Sequence, residues 1–326
     1  MAMEGRHWQR PEPCQPGEAP PLTPEQVGRF RSAGALVLDG LWPADLVAAA
    51  TLQAEARYPA PELLPPGFQI PYGTSPAPRN HIRFPMEPSV LGALNEITVH
   101  PRILAAAAQL LGTDDLRCTQ SNILPKYGEV PGGSPDVDGQ LHHDYGANMF
   151  VAPPRQSPDA VVCILYLSGT GAETGGPTNF VFQEGAATFD RSAVAGGVDN
   201  GAIVLGEDVM ATKYEIERSV QYAPGTCLLF RIDTWHRATK NLPGQRRLTQ
   251  HIILRCAEAE WVQSDCWVPR FAEMPGSDFV GKLSVRQRSA LGFPPPGHPC
   301  WSVQAIEAAA RRYPGFDPAP YAAAAG

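Results

Sequence analysis

The sequence predicts a mainly β fold, a sandwich or jelly roll, with helices flanking it on both sides. Three observations predict it. From Asp115 onward, short β-rich runs recur between Gly/Pro turns, at 116–127, 140–151, 160–167, 178–182, 202–205, 219–222, 226–231 and 247–256. No helical pattern alternates with these runs, which argues against a parallel α/β sheet. Helical periodicity is found before 115 and again after 257. The chain has 326 residues, 43% of them hydrophobic, which suits one β domain with helical additions.

In chain order, 1–21 is polar and proline-rich and is expected as a disordered N-terminal arm. Residues 22–326 are expected as a single domain: a helical part over 22–114, a β core over 115–256 and a covering tail over 257–326. Thr23-Pro24-Glu25-Gln26 opens the first helix, with Thr23 as cap and Gln26 completing a capping box. Val27 and Phe30 form its apolar face and Gly34 ends it. A short strand follows at 35–38. Pro43 starts a second helix running to about Arg57, with Leu46, Val47 and Leu52 inward. Residues 59–88 hold many prolines and no periodicity, and are expected as an irregular loop. Inside it, Arg79, His81 and Arg83 are either a solvated basic turn or part of a substrate-contacting flap. An alanine-rich helix covers 103–111, between Pro101 and Gly112. The glycines at 169, 171, 175 and 176 form no phosphate-binding fingerprint and are read as a turn. Beyond 257, short helices are expected at 284–291 and 302–312, on either side of a proline loop.

Composition narrows the function. Charged residues are 18% and the net charge is −7, so no basic stripe exists to bind nucleic acid. No apolar run is long enough to span a bilayer, and the N-terminus has no apolar leader. A cytoplasmic protein is the expectation. The seven cysteines are Cys14, Cys118, Cys163, Cys227, Cys256, Cys266 and Cys300, with no CxxC pair. Cys118, Cys163, Cys227 and Cys256 sit in apolar runs, so buried thiols are expected rather than disulfides or a thiolate metal site.

The chemistry centres on Gln140-Leu141-His142-His143-Asp144-Tyr145. In a strand, residues two apart share a face, so His142 and Asp144 project together and His143 projects away. An imidazole and a carboxylate are two ligands for one ion. A second histidine would complete a facial triad with open coordination positions, the arrangement of non-haem Fe(II) oxygenases. His236, 92 residues after Asp144, fits best as that ligand. His251, His81, His100 and His298 are the alternatives; His100 at a helix start and His298 in a proline loop suit structural roles. Arg247 follows His236 by 11 residues. Its planar fork suits the far carboxylate of a chelating 2-oxoacid. Gln120, Asn122 and Lys126 share one face of the strand before the metal motif and form either its solvent side or the polar end of a cosubstrate pocket. Tyr166 is a core aromatic or a pocket wall.

Together these residues resemble the phytanoyl-CoA dioxygenase-like branch of the Fe(II)/2-oxoglutarate-dependent oxygenases. The resemblance covers roughly 22–256. It rests on the opening helix and strand, Gln120 and Lys126, His142-x-Asp144, Gly175-Gly176-Pro177-Thr178-Asn179-Phe180-Val181, and His236, Asn241 and Arg247 in order. It implies a double-stranded β-helix, a cupin-like jelly roll. It also implies iron ligands His142, Asp144 and His236, 2-oxoglutarate held by Arg247, and further cosubstrate contacts at Gln120, Lys126 and Tyr166. The implied activity is hydroxylation of a small-molecule or acyl-type substrate with O2, splitting 2-oxoglutarate into succinate and CO2. Related halogenases lack the carboxylate ligand, so Asp144 favours hydroxylation over halogenation, while desaturation, ring formation and epimerisation stay open to the same chemistry. Two positions depart from the family pattern: Ala238 stands where a serine is common, and Phe182-Gln183-Glu184-Gly185 replaces the usual PGSH turn. The other readings are an oxygenase acting on a protein side chain and a non-catalytic jelly-roll binding protein.

Overall fold

The computed structural model describes residues 12–13, 20–64, 82–129, 136–142, 144, 159–182, 207–258, 278–291, 293–297, 301, 303, 306, 309–310, 313 and 315–323. The first helix, α1, is Pro24–Ala33. Its capping box is reciprocal: Gln26 N–H donates to Thr23 Oγ1 at 3.2 Å, and Thr23 N–H donates to Gln26 Oε1 at 2.8 Å. Gly34 ends it at φ 84°, where a Cβ would come within 2.8 Å of Thr234 Oγ1. Thr23→Ala is expected to cost about 1 kcal/mol. Urea unfolding reads this as a lower midpoint, and an unchanged midpoint counts against the cap.

Strand β2 is Ala35–Asp39 and helix α2 is Ala44–Arg57. The inward face of α2 is Val47, Ala50 and Ala54. Leu52, expected inward, is 68% exposed. Five residues from Val47 is about 140° around the helix, so the two cannot share a face. The stretch 59–88, expected to be irregular throughout, holds a 3-10 turn at Pro61–Leu63 and a two-residue strand, β3, Ile82–Arg83. Helix α3, Pro88–Val99, has no counterpart among the sequence expectations; α4, Pro101–Leu111, does. His100 caps α4 by accepting from Arg102 N–H, the structural role expected of it.

Seven strands form the larger sheet, in the order β1-β2-β8-β5-β10-β4-β3. Beyond β2 and β3 these are β1 (Glu12–Pro13), β4 (Leu116–Tyr127), β5 (Ala160–Tyr166), β8 (Cys227–Arg231) and β10 (Arg246–Cys256). Among the described strands only β1 pairs in parallel, alongside Leu38–Asp39. A smaller antiparallel sheet runs β7-β6-β9, with β6 at Thr178–Phe180, β7 at Arg218–Ser219 and β9 at His236–Ala238. The expected strand at 202–205 and His143 and 145–151 of the expected strand 140–151 lie outside the described residues.

Strand alternation divides the interior into two cores. On the larger sheet Leu165, Leu229, Leu248, Ile252 and Leu254 face α1–α4 and join Phe30, Ala54, Leu94 and Leu104. The opposite face, with Val162, Ile164, Tyr166, Leu228, Phe230 and Ile253, meets Phe180, Val220 and Tyr222 from the smaller sheet and its flank. The layers are therefore helices, large sheet, small sheet. Cys118, Cys163, Cys227 and Cys256 are buried thiols outside any disulfide, as expected.

A helix at Glu207–Ile216, α5, was not expected inside the β region. The tail carries α6 (Phe279–Lys282), α7 (Val285–Ala290) and α8 (Ala319–Ala322). Gln287 Nε2 donates to Val99 O at 3.0 Å, fastening the tail to the end of α3. No helix among the described residues is long and apolar enough to cross a membrane.

Candidate metal and cosubstrate site

Strand β9 and residues 139–142 run side by side, and with Asp144 beyond them they bring the predicted ligands together. His142 N–H donates to His236 O at 2.9 Å and His236 N–H donates to His142 O at 2.7 Å. Asp144 N–H reaches Ile232 O at 3.1 Å, and Gly139 N–H reaches Ala238 O at 2.7 Å. The turn that delivers His236 is fixed from beneath. Arg231 grips Asp233 with two hydrogen bonds of 2.9 and 2.8 Å and donates to Arg31 O at 2.7 Å. Thr234 Oγ1 donates to Gly34 O at 2.7 Å.

Each histidine is oriented by a backbone carbonyl two residues before it. His142 Nδ1 lies 2.8 Å from Gln140 O, and His236 Nδ1 lies 2.9 Å from Thr234 O. A carbonyl only accepts, so Nδ1 is the protonated nitrogen in both rings and Nε2 carries the lone pair. Both Nε2 atoms face Asp144: His142 Nε2 is 3.9 Å from Oδ1 and His236 Nε2 is 3.9 Å from Oδ2. All three ligand atoms lie within 4.8 Å of one another. An ion with ligands at about 2.0–2.2 Å spans pairs up to about 4.4 Å apart, so it fits between the carboxylate and either imidazole. The His142, Asp144 and His236 side chains are 23%, 16% and 9% exposed, which leaves the site reachable from outside. Phe230 packs 4.5 Å from the His236 ring and walls its inner side.

Arg247 lies on the inner face of β10, paired with Lys126 across β4. It is buried, donates through one terminal nitrogen to Gly176 O at 2.7 Å, and has an Nε with no hydrogen-bond partner among the described residues. A buried guanidinium with an unused donor suits a carboxylate ligand. The Gly176 carbonyl is placed by a turn that only glycine suits: φ is +70°, and a Cβ would sit 1.9 Å from Asn241 Oδ1. Two residues on, Thr178 Oγ1 is 2.6 Å from Tyr166 Oη. Tyr166 stacks on Tyr222 at 3.7 Å, and Tyr222 Oη donates to Thr178 O at 3.2 Å. Burial pushes both phenols up, against the nearby Arg247 charge, which pulls them down. Thr178 pairs with Ala238 and Phe180 with His236, so this aromatic and cationic group stands along the strand pair that carries His236.

Other predicted contacts are placed differently. Gln120 Nε2 donates to Asn122 Oδ1 at 2.8 Å, and Asn122 pairs with His251 on the inner face of β10. This is a polar ledge facing the second core rather than a solvent side. Lys126 is already occupied: Asp136 meets its ammonium with both oxygens, at 2.5 and 2.6 Å, and the carbonyls of Val137 and Thr239 accept from it at 3.2 and 3.0 Å. Burial lowers its pKa and Asp136 opposes that shift. The ammonium's three donors are thus shared among four protein acceptors. Arg79, His81 and His298 lie outside the described residues. Arg83 lies in edge strand β3, opposite Asn122. Sequence reasoning gave no individual site role to Gly176, Thr178, Tyr222 or Asp136. Alternation back from Phe180 would have found Thr178; nothing local marks Asp136 as the partner of Lys126.

No family model matches the chain, and no curated protein matches it. Solved structures do share its fold. SnoK, a non-heme alpha-ketoglutarate-dependent carbocyclase from nogalamycin biosynthesis, is 16% identical with a TM-score of 0.54, over 81% of this chain and 95% of that one. EctD from S. alaskensis, with 2-oxoglutarate and 5-hydroxyectoine, is 19% identical with a TM-score of 0.53, over 75% and 80%. The epimerase SnoN, in complex with Fe3+, alpha ketoglutarate and nogalamycin RO, is 23% identical with a TM-score of 0.50, over 78% and 90%.

Proposed function

We propose that the protein is an Fe(II)/2-oxoglutarate-dependent oxygenase of the phytanoyl-CoA dioxygenase-like kind. On this reading the two sheets form its double-stranded β-helix, and its substrate is a small or acyl-type molecule. One observation carries the reading: two imidazoles, each with Nδ1 committed to a carbonyl, turn their Nε2 atoms onto the two oxygens of one carboxylate. Three ligands on one side of an ion leave the opposite positions open, as oxygen chemistry needs. The orphaned Arg247 Nε and the iron- and 2-oxoglutarate-bound structures of the same fold support it.

Bound there, Fe(II) and 2-oxoglutarate supply O2-driven oxidation of a C–H bond, with 2-oxoglutarate released as succinate and CO2. The chain's own residues do the rest. His142, Asp144 and His236 would hold the metal. Arg247, steadied by Gly176 O, would take the distal carboxylate of the cosubstrate. Tyr166, Tyr222 and Thr178 make a dry, neutral wall beside that charge, so the carboxylate meets one cation without competing water. Gln120 and Asn122 present amide groups from β4 toward the same interior. Asp144 keeps a carboxylate where a halogenase needs room for halide, so oxidation without halide transfer is the assigned outcome, with hydroxylation its simplest form.

Screening compounds for stimulated succinate release from the iron-loaded protein tests the reading and finds the substrate class. Low uncoupled release without substrate is expected, rising with the right compound. Complete absence of succinate under all conditions overturns it.

A further inference from the structure

Both ligand histidines stand on minimal β structure. His236 begins a three-residue strand, and His142 is held by an isolated bridge to it. Neither belongs to the long, self-supporting larger sheet. Short pairings of this kind do not hold a ligand geometry alone, so something else must stiffen them.

The support lies on the outer side of the small sheet. Leu141 and Trp235 immediately precede the two histidines and project away from the metal by alternation. They meet Val181 and Met210 in a separate apolar cluster, in which Leu141 is 1% and Trp235 2% exposed. Met210 belongs to α5. From the same helix, Tyr214 Oη accepts from Leu141 N–H at 3.0 Å, and the Lys213 ammonium lies 4.9 Å over the Trp235 ring. Beyond the C-terminal end of the helix, Glu217 takes Arg237 in a bidentate pair at 2.8 and 2.6 Å. Arg237 also reaches Asp138 at 3.1 Å and lies 5.2 Å from the Tyr214 ring. Thus α5 grips one residue before His142, and a residue on each side of His236.

Resting on the metal-site reading above, we propose that α5 is a clamp that sets the spacing of the two histidine segments, with Tyr214 as the positioning residue for His142. Its hydroxyl is the acceptor for the backbone N–H directly preceding the ligand. Removing it frees that segment to shift while His142, Asp144 and His236 all remain in the chain. Glu217 does the same for the His236 segment through Arg237.

The test is Mn(II) binding to the full-length metal-free protein, followed by calorimetry, beside thermal unfolding of the same samples. Wild type should bind one Mn(II). Tyr214→Phe keeps the ring against Arg237 and loses only the acceptor; about tenfold weaker Mn(II) binding is expected, the scale on which supporting contacts act on metal affinity. Glu217→Gln, which keeps the shape of the pair, should weaken binding in the same direction. If both variants bind Mn(II) as wild type does and only unfold at lower temperature, α5 is mere packing and the clamp is overturned while the metal site stands. If wild type itself binds no Mn(II), the metal reading falls and the clamp with it.

Discussion

Asp144→Ala is expected to lose Fe(II) affinity by well over about 100-fold, more than supporting contacts alone cost, and with it all succinate formation. The reason is geometric. Asp144 is the one anionic ligand, and its two oxygens each face a different histidine Nε2 at 3.9 Å. Without it two neutral imidazoles remain and the ion loses both charge compensation and its third attachment. The fold should survive, because alanine retains the backbone N–H of residue 144 that donates to Ile232 O. Unfolding should therefore change little while calorimetry with Fe(II) goes flat. Normal turnover by this variant would falsify the metal assignment.

Arg247→Ala has the second largest expected effect, and on a different ligand. Truncating one partner of a buried, hydrogen-bonded charge pair costs about 2–5 kcal/mol, and each 1.4 kcal/mol is about tenfold. The requirement for 2-oxoglutarate should rise by roughly 30- to 4000-fold, with Fe(II) binding unchanged. Arg247→Lys should recover only part of the loss, because an ammonium keeps the charge but not the fork. Steady-state kinetics against 2-oxoglutarate reads both. An unaltered requirement would show that the orphaned Nε serves something else.

Much of this arrangement was legible in local patterns. Alternation puts His142 and Asp144 together, and they meet at the site; it also places Gln120, Asn122 and Lys126 on one face, which the β4–β10 register reproduces. The Thr23 capping box and the terminating Gly34 are short-range chemistry and appear where the sequence puts them. What escaped depends on contacts distant in the chain. The ion pair of Lys126 with Asp136 is announced by no motif. Leu52 looks inward by hydrophobicity, while the alanines at 50 and 54 occupy the face that packs. Helix α5 shows little amphipathic pattern because much of it is exposed and only Met210 of its characterised side chains is buried; its purpose shows only once Leu141 and Trp235 lie beside it. The substrate is least legible, since Arg79 and His81 fall outside the described residues.

Anaerobic calorimetry bears most directly on the metal-and-cosubstrate assignment: Fe(II) titrated first, then 2-oxoglutarate. One Fe(II) per chain is expected, followed by one 2-oxoglutarate whose binding needs both the metal and Arg247. Failure to bind Fe(II), or 2-oxoglutarate binding that is indifferent to the metal, contradicts the assignment of His142, Asp144 and His236.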